Sequence, residues 1–398
     1  MSSEKKPRFV EFKEGLVRFI GPDISLYSKG RLLEPSWAPV FYNPRMKLSR
    51  DIGVALIDAF SEYSLRKGLI IAEPLSATGI RGLRYLVENK GKVDMLILND
   101  HNKLAYNLLI KNAEINGVYD KVRAYNLDVE LLLYKLVEEE LRPDVIDLDP
   151  FGSPGYFLDA AVKTIKHKGM ICMTATDLPT LFGHYPLTAY RRYMVRVCLT
   201  DFYKECGIRV LLGFTAREAA RMDRGIRPLF SQATDHYIRL CVLVYKSRRK
   251  ALISLKSLGY VEYCDKCLYR NGIKDFEVKK CPLCRSRLKV IGPVWLGPLW
   301  DVEFLSKTLS AYSSRTYLER RGIKILQLMI EEAEAPPLYY RTSSIARKYA
   351  FKREVSPKKI AEFHRSVGIS SSLTHFDDKG FRSPLDVGDV VKLIKKLI

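Results

Sequence analysis

The chain has 398 residues, 47% hydrophobic and 28% charged, ordinary proportions for a globular protein with room for two or three domains. Its formal charge of +21 is not ordinary and points to an anionic partner, either nucleic acid or a membrane surface. No apolar run is long enough to span a bilayer and the first six residues lead into no signal-peptide core, so a cytoplasmic protein with a polyanionic ligand is expected, and no membrane.

Residues 8–33 alternate apolar and polar positions between Gly15, Gly21-Pro22 and Gly30, which predicts small antiparallel strands. Residues 40–46 read as an aromatic turn. Ile52, Ala55, Leu56 and Ala59 have helical spacing, so a helix is expected as far as Tyr63, with Ser49 as its cap. From residue 69 strands and helices alternate. Strands are expected at 69–72, 93–98, 122–125, 145–148 and 170–174. The helices between them carry Arg81, cover 103–116 and 129–140, and resume from Tyr156. This rhythm implies a parallel, doubly wound sheet, which residues 209–214 and 237–245 would complete as antiparallel segments.

The first four strand ends carry the chemistry. Residues 73–82, Glu-Pro-Leu-Ser-Ala-Thr-Gly-Ile-Arg-Gly, form a small-residue turn that lets a ligand approach the start of a helix. Asp100 follows Gly79 by 21 residues, close to the spacing at which an acid binds ribose hydroxyls. Neither GxGxxG nor GxxxxGK[ST] is present, so a nucleoside without phosphates fits, S-adenosylmethionine foremost, with Asp128 placed to meet its adenine amino group. The fourth strand ends in Asp149-Pro150-Phe151-Gly152-Ser153-Pro154. There a carboxylate and a carbonyl held rigid by proline can accept from an exocyclic amino group, and Phe151 can stack on the ring that carries it. Each acid could instead cap a helix, Asp149 capping one near Tyr156. Four acids on successive strand ends favour a site over four caps.

Further along, residues 186–250 hold 14 Lys/Arg against five Asp/Glu, including an Arg-rich helix expected over 190–204 and a second basic stretch at 217–227. Cys172, Cys198, Cys206 and Cys241 lie in apolar stretches and are expected as buried thiols in a reducing compartment. Cys198 and Cys206 would share one helix, about 12 Å apart, too far to bridge. Cys264-x2-Cys267-x13-Cys281-x2-Cys284 has the spacing of two zinc knuckles, and with all four positions filled by thiolates the metal would be structural. Two disulfides or a redox Cys-x-x-Cys fit poorly without secretory or thioredoxin-like context. A helical region should run to about Ala335, where Pro336-Pro337 marks a boundary. Helices near 357–367 and 387–397 in the basic tail would form a small winged-helix-like unit.

Phe41-Tyr42-Asn43-Pro44, Arg50-Asp51, residues 75–82, Asn99-Asp100, residues 147–154 and residues 292–299 (Gly-Pro-Val-Trp-Leu-Gly-Pro-Leu) occur in that order. Together they resemble the tRNA guanosine-26 N2-dimethyltransferase family in its archaeal-like form, over most of the chain. The resemblance implies a class I methyltransferase domain, a Rossmann-like, mostly parallel doubly wound sheet, over residues 1–255. A mixed α+β C-terminal domain over 256–398 would help hold tRNA and would include a small zinc-binding insert at 260–288. It implies S-adenosylmethionine contacts at Arg50, Arg81, Asp100, Asp128 and Val129. The target guanine would lie between Phe41 and Phe151, with Asp149 and Pro150 meeting its amino group and Asp149 accepting the proton. The family usually has Asn where this chain has Ser49, and Ala where it has Val129. Two other readings stand beside it: an amino-group methyltransferase acting on another RNA or DNA base, and a non-catalytic RNA-binding protein. A monomer is expected.

Overall fold

The computed structural model describes residues 7–29, 32–277 and 279–397. Packing divides it into two compact units. The first comprises Met1–Pro150, Asp159–Met173 and Ser306–Ile323, and the second Phe151–Leu158, Thr174–Leu305 and Lys324–Ile398. The boundary expected after residue 255 falls inside the second. Gly30 and the first six residues, both invoked above, lie outside the described residues.

The first unit opens with two antiparallel pairs, β1 (Phe9–Glu14) with β2 (Val17–Pro22) and β3 (Ser28–Lys29) with β4 (Leu32–Leu33). Helix α1 (Lys47–Ser64) starts earlier than expected. The Asn43 side chain accepts from Arg45 N at 3.0 Å and caps a 3-10 turn over Pro44–Met46 that runs straight into α1. Ser49 is therefore a buried residue inside the helix and not its cap.

The βα alternation follows as predicted: β5 (Leu69–Glu73), α2 (Ile80–Glu88), β6 (Val93–Asn99), α3 (Lys103–Ile115), β7 (Val122–Tyr125), α4 (Val129–Glu138), β8 (Val145–Leu148), α5 (Leu158–Thr164) and β9 (Gly169–Ala175). β5 pairs in parallel with both β6 and β8, so the chain leaves β5 in one direction and returns on its other side. That reversal opens a crevice at the carboxyl ends of the strands, where ligands of such sheets bind. β8 and β9 are buried along their whole length. One acid inside β8 is tolerated because Tyr85 Oη donates to Asp147 Oδ2 at 2.7 Å.

The second unit contains α6 (Leu178–Leu181), α7 (Pro186–Tyr193), α8 (Tyr203–Arg221), β10 (Arg224–Ala233), β11 (Ile238–Lys246) and α9 (Arg248–Lys256). β10 and β11 are antiparallel, and the seven-stranded sheet has the order β10-β11-β9-β8-β5-β6-β7. Residues 209–214, expected as a strand, lie in the middle of α8. A short apolar run does not distinguish a strand from a buried helix, and the helix formers at 216–220 carry this one onward. The Arg-rich helix expected over 190–204 is likewise not continuous. α7 ends at Tyr193, Met194 turns left-handed (φ +50°), and α8 begins only at Tyr203. Cys198 thus sits off the helix that holds Cys206, and both are free thiols. Cys172 and Cys241 are not the free thiols expected, since both are disulfide-bonded. Burial can be read from an apolar neighbourhood in sequence, but the proximity of a partner sulfur cannot.

A three-stranded sheet of order β13-β12-β14 follows, from β12 (Leu258–Tyr263), β13 (Arg270–Ile273) and β14 (Lys289–Trp295). Gly213 lets α8 lie against β14, for a Cβ there would come within 3.0 Å of Trp295 N. Helices α10 (Val302–Ser313) and α11 (Arg321–Glu331) occupy the predicted helical region. The tail holds β15 (Tyr340–Arg341), α12 (Thr342–Lys348), α13 (Pro357–Ser366), β16 (Ser372–Leu373), β17 (Gly380–Arg382) and α14 (Val387–Lys395). Its strands pair antiparallel in the order β15-β17-β16, and α13 and α14 fall where the two tail helices were expected. Among the described residues, no helix is long and apolar enough to cross a membrane.

Candidate active site and metal centre

The turn after β5 is built for close approach. Ser76 Oγ donates to Glu73 O at 2.5 Å, and Ala77 (φ +47°) and Gly79 (φ +76°) both take left-handed backbone. Gly82, one turn into α2, has no room for a side chain, because a Cβ would lie 2.8 Å from Glu73 Oε2. Asp100 ties the second strand end to this turn, its Oδ2 accepting from Ala77 N and its Oδ1 from Asn102 N, each at 2.9 Å. Asn102, not Asp100, caps α3. Asn99 links three strand ends: its Nδ2 donates to Pro74 O and Leu127 O, and its Oδ1 accepts from Leu127 N, all at 2.9 Å. Asp128 does cap its helix, with Oδ1 accepting from Glu130 N at 2.8 Å. Its Oδ2 has no hydrogen-bond partner among the described residues, and Val129, the first residue of α4, is buried.

At the tip of β8, Asp149 Oδ2 accepts from Arg81 Nη2 at 2.5 Å. Arg81 is 3% exposed, and its Nε stands 3.8 Å from Glu73 Oε1. Burial lowers the pKa of this guanidinium, but Asp149 and its neighbours outweigh burial and hold it well above normal. Burial pushes Glu73 up to about 8 against the pull of Arg81, so at neutral pH Glu73 is mostly protonated. Arg81 Nη1 is buried and has no hydrogen-bond partner among the described residues. A buried cationic donor with nothing to donate to is costly. An amino-acid carboxylate such as that of S-adenosylmethionine would satisfy it, so the residues present fit this cofactor.

Arg50 is fixed in place by Glu14 in the same unit. Its Nε and Nη2 donate to both oxygens of Glu14, at 2.7 and 2.6 Å. Glu14 also takes Arg84 Nη1 at 2.8 Å, and Arg84 in turn bonds Asp51 and Glu88. Arg50 and Asp128 make no hydrogen bond or ion pair with Asp149 among the described residues. Phe41 is half-buried, and Pro150 is buried.

In the second unit Phe151 is 68% exposed. The turn after it is clamped by residues absent from the sequence-based site. Gly152 N donates to Thr176 Oγ1, and Thr176 N to Gly152 O, both at 2.8 Å. Ser153 Oγ accepts from Gly155 N at 3.1 Å and lies 2.7 Å from Tyr193 Oη, which donates to Asp177 at 2.9 Å. Ser153, rather than Asp149, therefore caps the short 3-10 turn that precedes α5. Nothing in the spacing of Glu73, Asn99, Thr176 or Tyr193 singles them out. The one signal that could have found a supporting residue is Asp147, an acid inside an apolar strand, which needs a buried partner.

The four cysteines converge as expected. Their sulfurs all lie within 4.8 Å of one another, with Cys264–Cys284 and Cys267–Cys281 at 3.4 Å. Leu268 (φ +65°) and Arg285 (φ +62°) take left-handed backbone where the two knuckles close, and Leu268 N and Arg285 N donate to Cys264 O and Cys281 O. Thiolates bound tetrahedrally to zinc at about 2.3 Å stand about 3.8 Å apart, so the group fits Zn2+ and leaves no open position for catalysis.

Several cations of the basic stretches and of the tail already have partners in the fold. Arg217 donates to Pro293 O and Tyr193 O, Arg192 pairs with Asp177, Arg221 with Glu218, Arg227 with Asp301 and Arg341 with Asp377.

Comparison with known proteins agrees with this geometry. Residues 23–395 match the family model described as N2,N2-dimethylguanosine tRNA methyltransferase. The chain is 38% identical over 390 residues to the tRNA (guanine(26)-N(2))-dimethyltransferase of Saccharolobus solfataricus, covering 97% of this chain and 99% of that protein. It is 34% identical over 390 residues to the protein of the same name from Metallosphaera sedula, covering 98% and 97%. Its fold matches the complex of Trm1 from Pyrococcus horikoshii with S-adenosyl-L-methionine, with a TM-score of 0.81 at 30% identity, over 96% of this chain and 99% of that one. With the family model matched over most of its length and relatives of 34–38% identity covered almost end to end, the chain belongs to the N2,N2-dimethylguanosine tRNA methyltransferase family.

Proposed function

We propose that the chain transfers methyl groups from S-adenosyl-L-methionine to the exocyclic N2 of guanosine 26 in tRNA, giving N2-methyl- and then N2,N2-dimethylguanosine. The observation that carries this reading is Asp149 held at the tip of β8 by Arg81, whose second amino group is buried and unmatched. Arg50, Arg81, Asp100, Asp128 and Val129 hold the cofactor, Arg81 through its carboxylate and Asp128 through Oδ2. When bound, the cofactor supplies an electrophilic sulfonium methyl.

The chain's own task is to make a poor nucleophile react. The lone pair of guanine N2 is delocalised into the ring. Asp149, whose Oδ1 has no hydrogen-bond partner among the described residues, and the carbonyl of Pro150 accept from the amino group and favour a more tetrahedral nitrogen. Asp149 then takes the proton released as the N–C bond forms and the methyl–sulfur bond breaks, its electron pair staying on sulfur. Arg81 fixes the carboxylate so that this acceptor is in place beforehand. Guanosine 26 must leave its stack at a cost of a few kcal/mol. Stacking on Phe151, with Phe41 as the second aromatic, offsets that cost. Residues 256–398 hold tRNA, the zinc at Cys264, Cys267, Cys281 and Cys284 is structural, and the protein works as a cytoplasmic monomer.

Incubation with labelled S-adenosyl-L-methionine and bulk tRNA, followed by nucleoside analysis, tests the reading. Dimethylguanosine should accumulate and should vanish from a transcript carrying A26. Methyladenosine or methylcytidine would instead identify another base as the target, and no turnover would leave an RNA-binding protein without chemistry.

A further inference from the structure

Beside the four cysteines lie two clefts whose cations are unusually unattended. One, of about 550 Å3, is lined by Arg196, Lys266, Phe276, Arg287 and Lys289. The other, of about 640 Å3, is lined by Tyr203, Arg341, Arg347 and Lys348. Asp265, inside the first knuckle, lines both, so the two flank it. Tyr349 Oη donates to Cys267 O at 2.9 Å and ties the end of α12, with Arg347 and Lys348 in its last turn, to that knuckle.

The charges in these clefts do not cancel. Lys289 is matched by Asp265 at 2.8 Å and Arg341 by Asp377 at 2.9 Å. Arg196, Lys266, Arg287, Arg347 and Lys348 are exposed, and none has a carboxylate within ion-pair distance among the described residues. Elsewhere in the same unit a larger cavity, about 740 Å3 beside Trp295–Trp300, shows the opposite pattern. Its Arg209 pairs with Glu205, Arg227 with Asp301, and Arg382 with both Glu205 and Glu332. Those arginines hold the fold together and have no charge to offer. In the first cleft, by contrast, Phe276 is 45% exposed and Arg196 lies over its ring at 5.4 Å, an aromatic face and a cation side by side.

We propose that the knuckle surface formed by Arg196, Lys266, Arg287, Arg347 and Lys348 is a binding track for the phosphodiester backbone of the substrate tRNA, with Phe276 available to an unpaired base. The inference rests on the tRNA reading above and adds a location to it. The four-cysteine insert then has a second role: it sets the spacing of cations that lie far apart in the chain.

Equilibrium binding of fluorescently labelled tRNA to the zinc-loaded full chain, between 0.05 and 0.5 M salt, tests this. Neutralising three phosphates' worth of contacts lowers the slope of log K against log salt by roughly 2–3 and weakens binding on the order of 10²-fold at 0.1 M salt. The combined variant Arg196→Gln/Lys266→Gln/Arg287→Gln should show that loss, and Arg347→Gln/Lys348→Gln a smaller one, both with kcat at saturating tRNA unchanged. A control, Lys67→Gln/Lys90→Gln/Lys111→Gln, removes as much charge from exposed, unpaired lysines of the first unit. The track is overturned if the knuckle variants bind like the wild type, or if the control loses as much as they do. A wild-type protein that binds tRNA without salt dependence, or does not methylate it, would fail the tRNA reading itself.

Discussion

Arg50, Arg81 and Arg84 in the first unit and Arg196, Lys266 and Arg287 in the second carry the same charge under opposite conditions. The first three are 4%, 3% and 0% exposed, each on a carboxylate in fixed geometry, Arg84 on three. The second three stand in solvent with no carboxylate partner among the described residues. Chemistry on a single nitrogen needs an acceptor placed to a fraction of an ångström, and only buried, mutually satisfied groups hold still to that degree. Gripping a polyanion needs mobile surface charge whose counterions can be released. Variants in the first unit should therefore produce sharp losses that salt does not rescue, and variants on the knuckle surface graded losses that follow ionic strength.

The sharpest test is Asp149→Asn, which keeps the shape and one acceptor but removes the proton acceptor. Single-turnover methylation should fall by about 10²–10⁴-fold while tRNA affinity stays within about twofold. An equal fall in affinity would make Asp149 a structural residue and erase the contrast between the two regions. Next comes Glu14→Gln. Glu14 serves Arg50 and Arg84 at once, and its loss leaves two buried guanidinium groups short of charge. Breaking a buried ion group from one side costs about 3–5 kcal/mol. Urea unfolding should register that at pH 7. Burial would raise the pKa of Glu14, but Arg50 and Arg84 outweigh it and depress it to about 2. The stability it contributes is thus present above its ordinary 4.5 and is lost as pH falls through about 2, so wild type and variant should converge in acid. Phe151→Ala, removing an exposed ring, should cost about 1–3 kcal/mol in kcat/KM for tRNA, with Phe151→Tyr retaining most of it.

How far these regions could be read from sequence follows the same division. The βα rhythm, the acids on four strand ends and the paired cysteines are local in sequence, so periodicity and spacing expose them. The support of the site is not local. Asn99 binds three strand ends, Tyr193 reaches Ser153 across forty positions, and Glu73 touches Arg81 only because α2 folds back along β5. Where the reading failed, a local signal had two solutions. Residues 209–214 are apolar enough for a strand yet sit inside a buried helix, and Ser49 could cap a helix that a preceding turn had already started. The basic stretches showed where cations cluster along the chain but not which members are free. Arg217 and Arg227 looked no different in sequence from Arg196, and only the fold shows the first two already engaged.

The finest contrast is a slope rather than a step, and it concerns Glu73. Its neighbours are Arg81 at 3.8 Å, the backbone N–H of Gly82 at 3.0 Å, and the nearby charges of Asp147 and Asp149. Burial raises its pKa from 4.5 to about 8, Arg81 pulls the other way and loses, and the two aspartates add to the rise. The folded state therefore holds this proton more tightly than the unfolded chain does. The stability it lends is complete below pH 4.5 and is lost as pH rises toward about 8. Glu73→Gln keeps an acceptor for Gly82 N but cannot ionise. Against the wild type it should show no stability difference near pH 4.5, then gain on it by at most about 1.4 kcal/mol per pH unit up to pH 8. Parallel curves for the two proteins would mean that Glu73 is ionised in the fold. In that case Arg81 would be shared between two carboxylates, its hold on Asp149 would be weaker than the 2.5 Å contact implies, and the first unit would lose part of what distinguishes it from the knuckle surface.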